Sequence, residues 1–248
     1  MLSKNTVKFI KSLQQKKFRK QEHAFFVEGS KNVTELLNSD FKVSHLLYTA
    51  KFAENHPQII HNGTMAAYEV DQKTLQALGS FVTNDSALAV AEMKDNRSFV
   101  LESNELAIAL DDVRDPGNLG TIIRIADWYG INKLVLSEES ADFYNPKVLN
   151  ASMGSFTRVD FFYTDLEAFL KKADLPVYGA FLEGENIHLS ALKPEGVILM
   201  GNESKGISDK LSSLVTHKLT IPAFGQAESL NVAVATAVIC DNFRRKAR

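Results

Sequence analysis

The stretch LAIALDDVRDPGNLGTIIRIADWYG, residues 106–130, decides the fold. It opens with five apolar residues and reaches the acidic pair Asp111 and Asp112, the length and ending of a buried strand. Pro116 and Gly117 then make a turn. Ile122, Ile123, Ala126 and Trp128 follow at spacings that give a helix one buried side. The alternation continues towards the C-terminus: KLVLSEE, RVDFFYT, VYGAFLE, GVILMGNE and HKLTIPA read as strands, DLEAFLKKAD and SDKLSSLV as helices. Near-continuous apolar strands alternating with helices predict an α/β fold whose mainly parallel sheet is covered on both faces. Ligands of such sheets gather at the carboxyl ends of the strands, so the loops there are where function is sought.

Towards the N-terminus the pattern changes at EMKDNRSFVLESNEL, residues 92–106, where charged and polar residues interrupt the apolar segments. Before it, AFFVEG (24–29), SHLLYTA (44–50) and ALAVAEMK (87–94) read as strands, with helices at SKNVTELLNSD (30–40) and QKTLQALGS (72–80). Two domains are expected: a small α/β unit over residues 1–98 and a larger one over 99–248. No internal repeat or low-complexity tract is visible.

A formal charge of −2 hides a local excess, since residues 1–20 hold seven Lys/Arg and no acid, and the chain ends in RRKAR. Such clusters can attract phosphates; solvated basic ends look the same. One cysteine allows no intramolecular disulfide and fits a reducing cytosol. No apolar run approaches a membrane span. The acid-poor N-terminus would suit an organelle transit sequence, but it is rich in Lys rather than Arg and Ser. A cytoplasmic location is expected.

Three loops carry the polar residues capable of chemistry. In the first, Asn118 and Gly120 follow the Pro116–Gly117 turn, and Arg124 shares a helix face with Gly120, which leaves room where the guanidinium reaches. A plainer alternative makes Asn118 the helix cap and pairs Arg124 with a surface acid. The spacing is not a dinucleotide fingerprint. In the second, VILMGNESKGIS (197–208), Gly201 and Gly206 permit close approach to a ligand. Glu203 there could accept hydrogen bonds from hydroxyls or pair with Arg124; a solvent-facing turn is the alternative. The third, IPAFGQAESLNVAVATAVIC (221–240), has Ser229 placed to cap a helix and leaves Asn231 unexplained. Cys240 falls on the apolar side of that helix and reads as core.

Together the loops offer amides, a hydroxyl, a carboxylate and one guanidinium. They hold no His and no catalytic Cys, whereas nucleophilic constellations need a base beside the nucleophile and zinc sites need clustered ligands. The six histidines, at 23, 45, 56, 61, 188 and 217, lie outside them.

In order and spacing, PGNLGTIIRIA, LMGNESKGI and IPAFGQAESLNVAVA resemble the three signature motifs of the SpoU/TrmH family of RNA ribose 2′-O-methyltransferases. The motifs span most of residues 111–236, and only Ala223 departs, standing where Met is frequent. The resemblance implies a SPOUT α/β domain in which the C-terminal segment threads a loop to form a trefoil knot. It also implies S-adenosylmethionine held by the knot loops, with Gly201, Ile221 and Leu230 at the cofactor and the strand end at Ala180 nearby. A homodimer through the C-terminal domain is implied as well. More loosely, the N-terminal unit resembles a ribosomal-protein-like RNA-binding domain, which favours ribosomal over transfer RNA as substrate. A transfer-RNA enzyme and a relative that binds RNA without methylating it are the alternatives.

On this resemblance, Arg124 binds the substrate and stabilises charge developing on the ribose oxygen; a guanidinium is always charged and cannot take a proton. Asn118 positions the first loop, and Ser229 and Asn231 hold the third loop on the Glu203–Arg124 side. The proton's destination stays open among an RNA phosphate, Glu203 and water. Lys16, Lys17, Arg19 and Lys20 are the candidates for RNA phosphate contacts.

Overall fold

The computed structural model describes residues 2–60, 65–81 and 83–245. His61 and the last three residues of the basic ending lie outside the described residues. Two compact units divide the chain: residues 1–95 with 144–157, and residues 96–143 with 158–248. The chain therefore passes between them three times, because a segment deep in the second half of the sequence belongs to the first unit.

The first unit runs α1 (Lys4–Ser12), α2 (Lys16–Glu22), β1 (Ala24–Glu28), α3 (Ser30–Leu37), β2 (Val43–Tyr48), α4 (Ala50–Asn55), α5 (Pro57–Ile60), β3 (Ala66–Glu69), α6 (Gln72–Leu78) and β4 (Ala87–Glu92). Its sheet has the order β1-β4-β2-β3, antiparallel except for the β2–β3 pair. Ile10 and Leu13 at α1, and Leu75 and Leu78 of α6, pack with Phe26, Leu47, Leu88 and Val90 of the strands. Adjacent Phe25 points to the opposite face by the two-residue alternation of a strand. There its ring meets Phe41, Tyr144 and Phe156 at centroid distances of 5.4, 4.6 and 6.0 Å. Tyr144 and Phe156 flank α8 (Pro146–Ser152), so the borrowed segment completes an aromatic core.

The second unit holds β5 (Leu106–Leu110), α7 (Pro116–Trp128), β6 (Lys133–Leu136), β7 (Asp160–Tyr163), α9 (Leu166–Ala173), β8 (Val177–Asn186), β9 (Gly196–Met200), α10 (Asp209–Ser212), β10 (His217–Thr220) and α11 (Val232–Arg245). Its six strands are all parallel in the order β10-β8-β9-β5-β6-β7. Every residue of β5 and β9 is buried, as expected of strands covered on both faces. On one face Ala109, Val135, Val197 and Leu199 pack with Leu166 and Leu170 of α9 and Leu211 of α10. α7 and α11 pack on each other. No described helix is long and apolar enough to cross a membrane.

A parallel sheet sends all its carboxyl ends the same way. β5 and β9 are neighbours, so the loops after Leu110 and Met200 emerge side by side. The loop after Thr220 leaves from the outer strand on the same edge.

Candidate active site

Each motif loop is shaped locally first. Asp115 caps α7: its Oδ1 accepts from the Asn118 backbone N–H at 2.8 Å, with Pro116 at the first helical position. Asn118 is therefore not the cap, and its carboxamide is free for longer contacts. The third loop corrects the sequence reading as well. α11 begins at Val232, and its cap is Asn231, whose Oδ1 accepts from the N–H groups of Ala233 and Val234 at 2.9 and 3.3 Å. Ser229 lies outside the helix, exposed and without a hydrogen bond to any described residue.

Capping determines the direction of everything attached to it. With the Asn231 oxygen committed to the helix, its Nδ2 must donate, and it does so to Asn118 Oδ1 at 2.9 Å. Asn118 then has only its own Nδ2 to give, and this reaches Glu203 Oε1 at 2.9 Å. A one-way relay thus runs from the start of α11 through two carboxamides to a carboxylate. Glu203 pairs with Asn118, not with Arg124. The guanidinium of Arg124 is exposed and makes no ion pair or hydrogen bond with any described residue. Lying six residues beyond Asn118, it is roughly 9 Å further along α7 and turned about 120° around it.

The second loop is tied down by a residue that the sequence reading left without a role. Asn202 accepts from the N–H groups of Ser204 and Lys205 at 3.0 and 3.1 Å and donates to the Asp112 carbonyl at 2.7 Å. Buried Asp111 accepts from the Ser208 N–H at 2.8 Å, a second tie between the first two loops. Asp112 sits at φ 58°, a conformation Asp tolerates, and its carboxylate lies 2.5 Å from Arg114 Nε. That contact raises the Arg114 pKa. The signal for these ties was the DD and GN pairs at the strand ends. Gly201 is needed for closure: a Cβ there would lie 2.1 Å from the Gly206 carbonyl carbon.

Comparison with known proteins gives this geometry a family. The SpoU rRNA Methylase family matches over residues 105–241, and an MRM3-like substrate binding domain over residues 4–89. The chain belongs to the SpoU rRNA methylase family. The 23S rRNA (guanosine(2553)-2′-O)-methyltransferase RlmP of Bacillus subtilis is 32% identical over 242 residues, 96% of this chain and 95% of that protein. A TrmH-family protein from Porphyromonas gingivalis superposes with a TM-score of 0.86 at 36% identity, covering 99% of each chain. An AdoMet-bound rRNA methyltransferase from Sinorhizobium meliloti gives 0.88 at 30% identity, covering 100% of this chain and 97% of that one.

The third loop suits the donor that a SpoU methylase uses. Residues 223–230 are exposed, and among the described residues none hydrogen-bonds to their backbone. A row of free N–H and C=O groups can recognise a purine edge or a carboxylate as side chains would. Leu230, 49% exposed, and partly buried Ile221 add apolar surface beside it. Ala180 is where β8 parts from β9, their register ending at Gly179 opposite Leu199. β8 itself continues to Asn186, so Ala180 is not the strand's end.

Other candidates take different places. Arg19 is 2% exposed and donates through Nη1 to the carbonyls of Leu13 and Gln14, both at 2.9 Å. It fastens the turn between α1 and α2 and is not a phosphate contact. Lys16, Lys17 and Lys20 are exposed. Cys240 is buried, and burial pushes its thiol up to about 12, which bars it from nucleophilic work at neutral pH. No group of metal-ligating side chains occurs among the described residues.

Replacing Asn231 separates its two duties. Asn231→Ala loses cap and relay, so thermal or urea denaturation should register about 1 kcal/mol less stability. Asn231→Asp keeps an oxygen for the helix but has no N–H for Asn118. Its stability should stay near native while methyl transfer falls. Native values in both measurements for both variants would make the contact incidental.

Proposed function

We propose that this SpoU methylase transfers the methyl group of S-adenosylmethionine to a ribose 2′-hydroxyl of ribosomal RNA. The observation that carries the reading is the relay of Asn118, Glu203 and Asn231, built from all three family motifs, with the uncommitted cation Arg124 on the same helix as Asn118. Ribosomal RNA is favoured because RlmP, matched over nearly the whole chain, is named as a 23S rRNA enzyme.

The cofactor, when bound, supplies an electrophilic methyl on a sulfonium. This chain's residues must align the ribose oxygen and stabilise the negative charge that develops on it. Arg124 suits both tasks, being permanently cationic, rich in donors and paired with no carboxylate among the described residues. Glu203 has one oxygen held by Asn118; its other oxygen is open to receive the hydroxyl proton, as is an RNA phosphate or water. Asn231 and Asn118 keep Glu203 in place, while the bare backbone of 223–230, with Gly201, Ile221, Leu230 and Ala180, holds the cofactor. Ser229, with its free hydroxyl, adds a donor to that loop.

Lys16, Lys17 and Lys20 supply phosphate contacts in the N-terminal unit. The chain path supports a knotted C-terminal segment: from β10 at the sheet edge, residues 221–231 must cross the ends of β8 and β9 to bring Asn231 to Asn118. A homodimer would cover the apolar surface of α7 and α11, where Trp128 is 82% and Val234 50% exposed. The substrate and the lone buried thiol suit the cytoplasm.

Arg124→Ala should lower the rate of methyl transfer to bulk ribosomal RNA about 100- to 1000-fold with cofactor affinity retained; undiminished turnover would remove its role. Changing Lys16, Lys17 and Lys20 together to Gln should raise the RNA Kd and flatten its dependence on salt. If neither moves, those lysines are solvated surface. Light scattering of Trp128→Glu should report the mass of a monomer against a native dimer, and an unchanged mass would place the interface elsewhere.

A further inference from the structure

The N-terminal unit contains a cavity of about 360 Å³ between the start of α3, helix α4 and the loop that precedes β4. Its size is at the low end for small-ligand sites, which run from roughly 300 to 1,000 Å³. Phe52, 2% exposed, lies against it, with the His56 ring tilted over Phe52 at 4.6 Å. Phe81 lines another side and leaves 38% of its surface to solvent.

The wall is built, not incidental. Glu28 is wholly buried, and its carboxylate accepts from the backbone N–H groups of Ser80 and Phe81 at 2.9 and 3.1 Å. Gly79 leaves room for that carboxylate, which a Cβ would meet at 2.1 Å. Gly29, at φ +85°, carries no Cβ where the Phe81 ring lies; one would come within 3.3 Å of it. A core carboxylate and two glycines therefore hold a large aromatic ring partly in water.

The polar lining indicates what such a ring would meet. Lys51 and Asp85 sit 2.5 Å apart and cancel, so nothing in that pair selects a free anion. Among the described residues, the side-chain oxygen of Asn55 and the hydroxyl of Thr83 have no hydrogen-bond partner, and Asn55 Nδ2 is spent on the Lys51 carbonyl at 2.8 Å. Flat aromatic walls, balanced charge and unspent edge groups suit a planar heteroaromatic ring with donors and acceptors on its rim. We propose that this cavity takes one unpaired nucleobase of the RNA, stacked on Phe81. A base inside a duplex has both faces covered, so the cavity favours a loop, bulge or single strand. The proposal rests on RNA being the substrate.

The test uses the full chain with an end-labelled, unstructured ten-nucleotide RNA and a fully paired RNA duplex, read by fluorescence anisotropy. Phe81→Leu keeps apolar bulk but removes the aromatic face. It should weaken binding of the decamer about tenfold and leave the duplex unaffected. Phe81→Trp should restore the decamer. Native decamer affinity in Phe81→Leu, equal loss on both probes, or no decamer binding by the native protein would each overturn the proposal. S-adenosylmethionine binding, measured separately by calorimetry, distinguishes the two readings. Loss of decamer affinity confined to Phe81→Leu, without cofactor uptake, supports the cavity and defeats methyl transfer; cofactor uptake without that loss does the reverse.

Discussion

Two carboxamides join what the chain keeps far apart. Asn231 and Asn118 are 113 positions distant in sequence, and Asn118 and Glu203 85, yet each pair is a hydrogen bond of 2.9 Å. Such bonds are worth only about 0.5–1.5 kcal/mol apiece, so their importance is geometric. Because the cap at α11 commits one oxygen, every later donor and acceptor is determined. Three loops from three strands are thereby held in one arrangement, which a set of hydroxyls, free to rotate, would not impose.

The sheet makes this possible. Its parallel strands place β5 beside β9, and ties from Asn202 and Asp111 bind the loops that follow them before any ligand arrives. Against this preorganised side stand groups with no hydrogen bond or ion pair among the described residues: the Arg124 guanidinium and the bare backbone of 223–230. An ion pair at Arg124 would have to be broken before the cation could serve a ribose oxygen. In the proposed function, leaving it open avoids that cost.

The N-terminal unit follows a different logic. Its core is aromatic on one sheet face and depends on Tyr144 and Phe156, which belong in sequence to the catalytic half. Its buried charges are structural: Arg19 closes a helix turn, and Glu28 fixes the loop bearing Phe81.

The strongly apolar strands LAIAL, GVILM and AFFVE were legible from residue order alone, whereas the short elements α1, α2, α4, α5, β3 and α8 carry too few apolar residues to mark them. The three motif loops were legible too, since glycine, proline and amide residues at strand ends are few and ordered. Lys16 and Arg19 show the limit: both are basic residues on α2, but one is exposed and the other is enclosed by backbone carbonyls. Burial depends on what packs from elsewhere, and sequence spacing does not carry it. The cap moved from Ser229 to Asn231 for a similar reason, because two good capping residues compete and the choice falls to the one that Asn118 can also reach. Likewise 144–157 looks like part of the second unit until Phe25 and Phe41 are seen to need its rings. Local propensity, then, wrote the elements and marked the loops; contacts between distant residues decided which polar groups are spent on the fold and which remain free for chemistry.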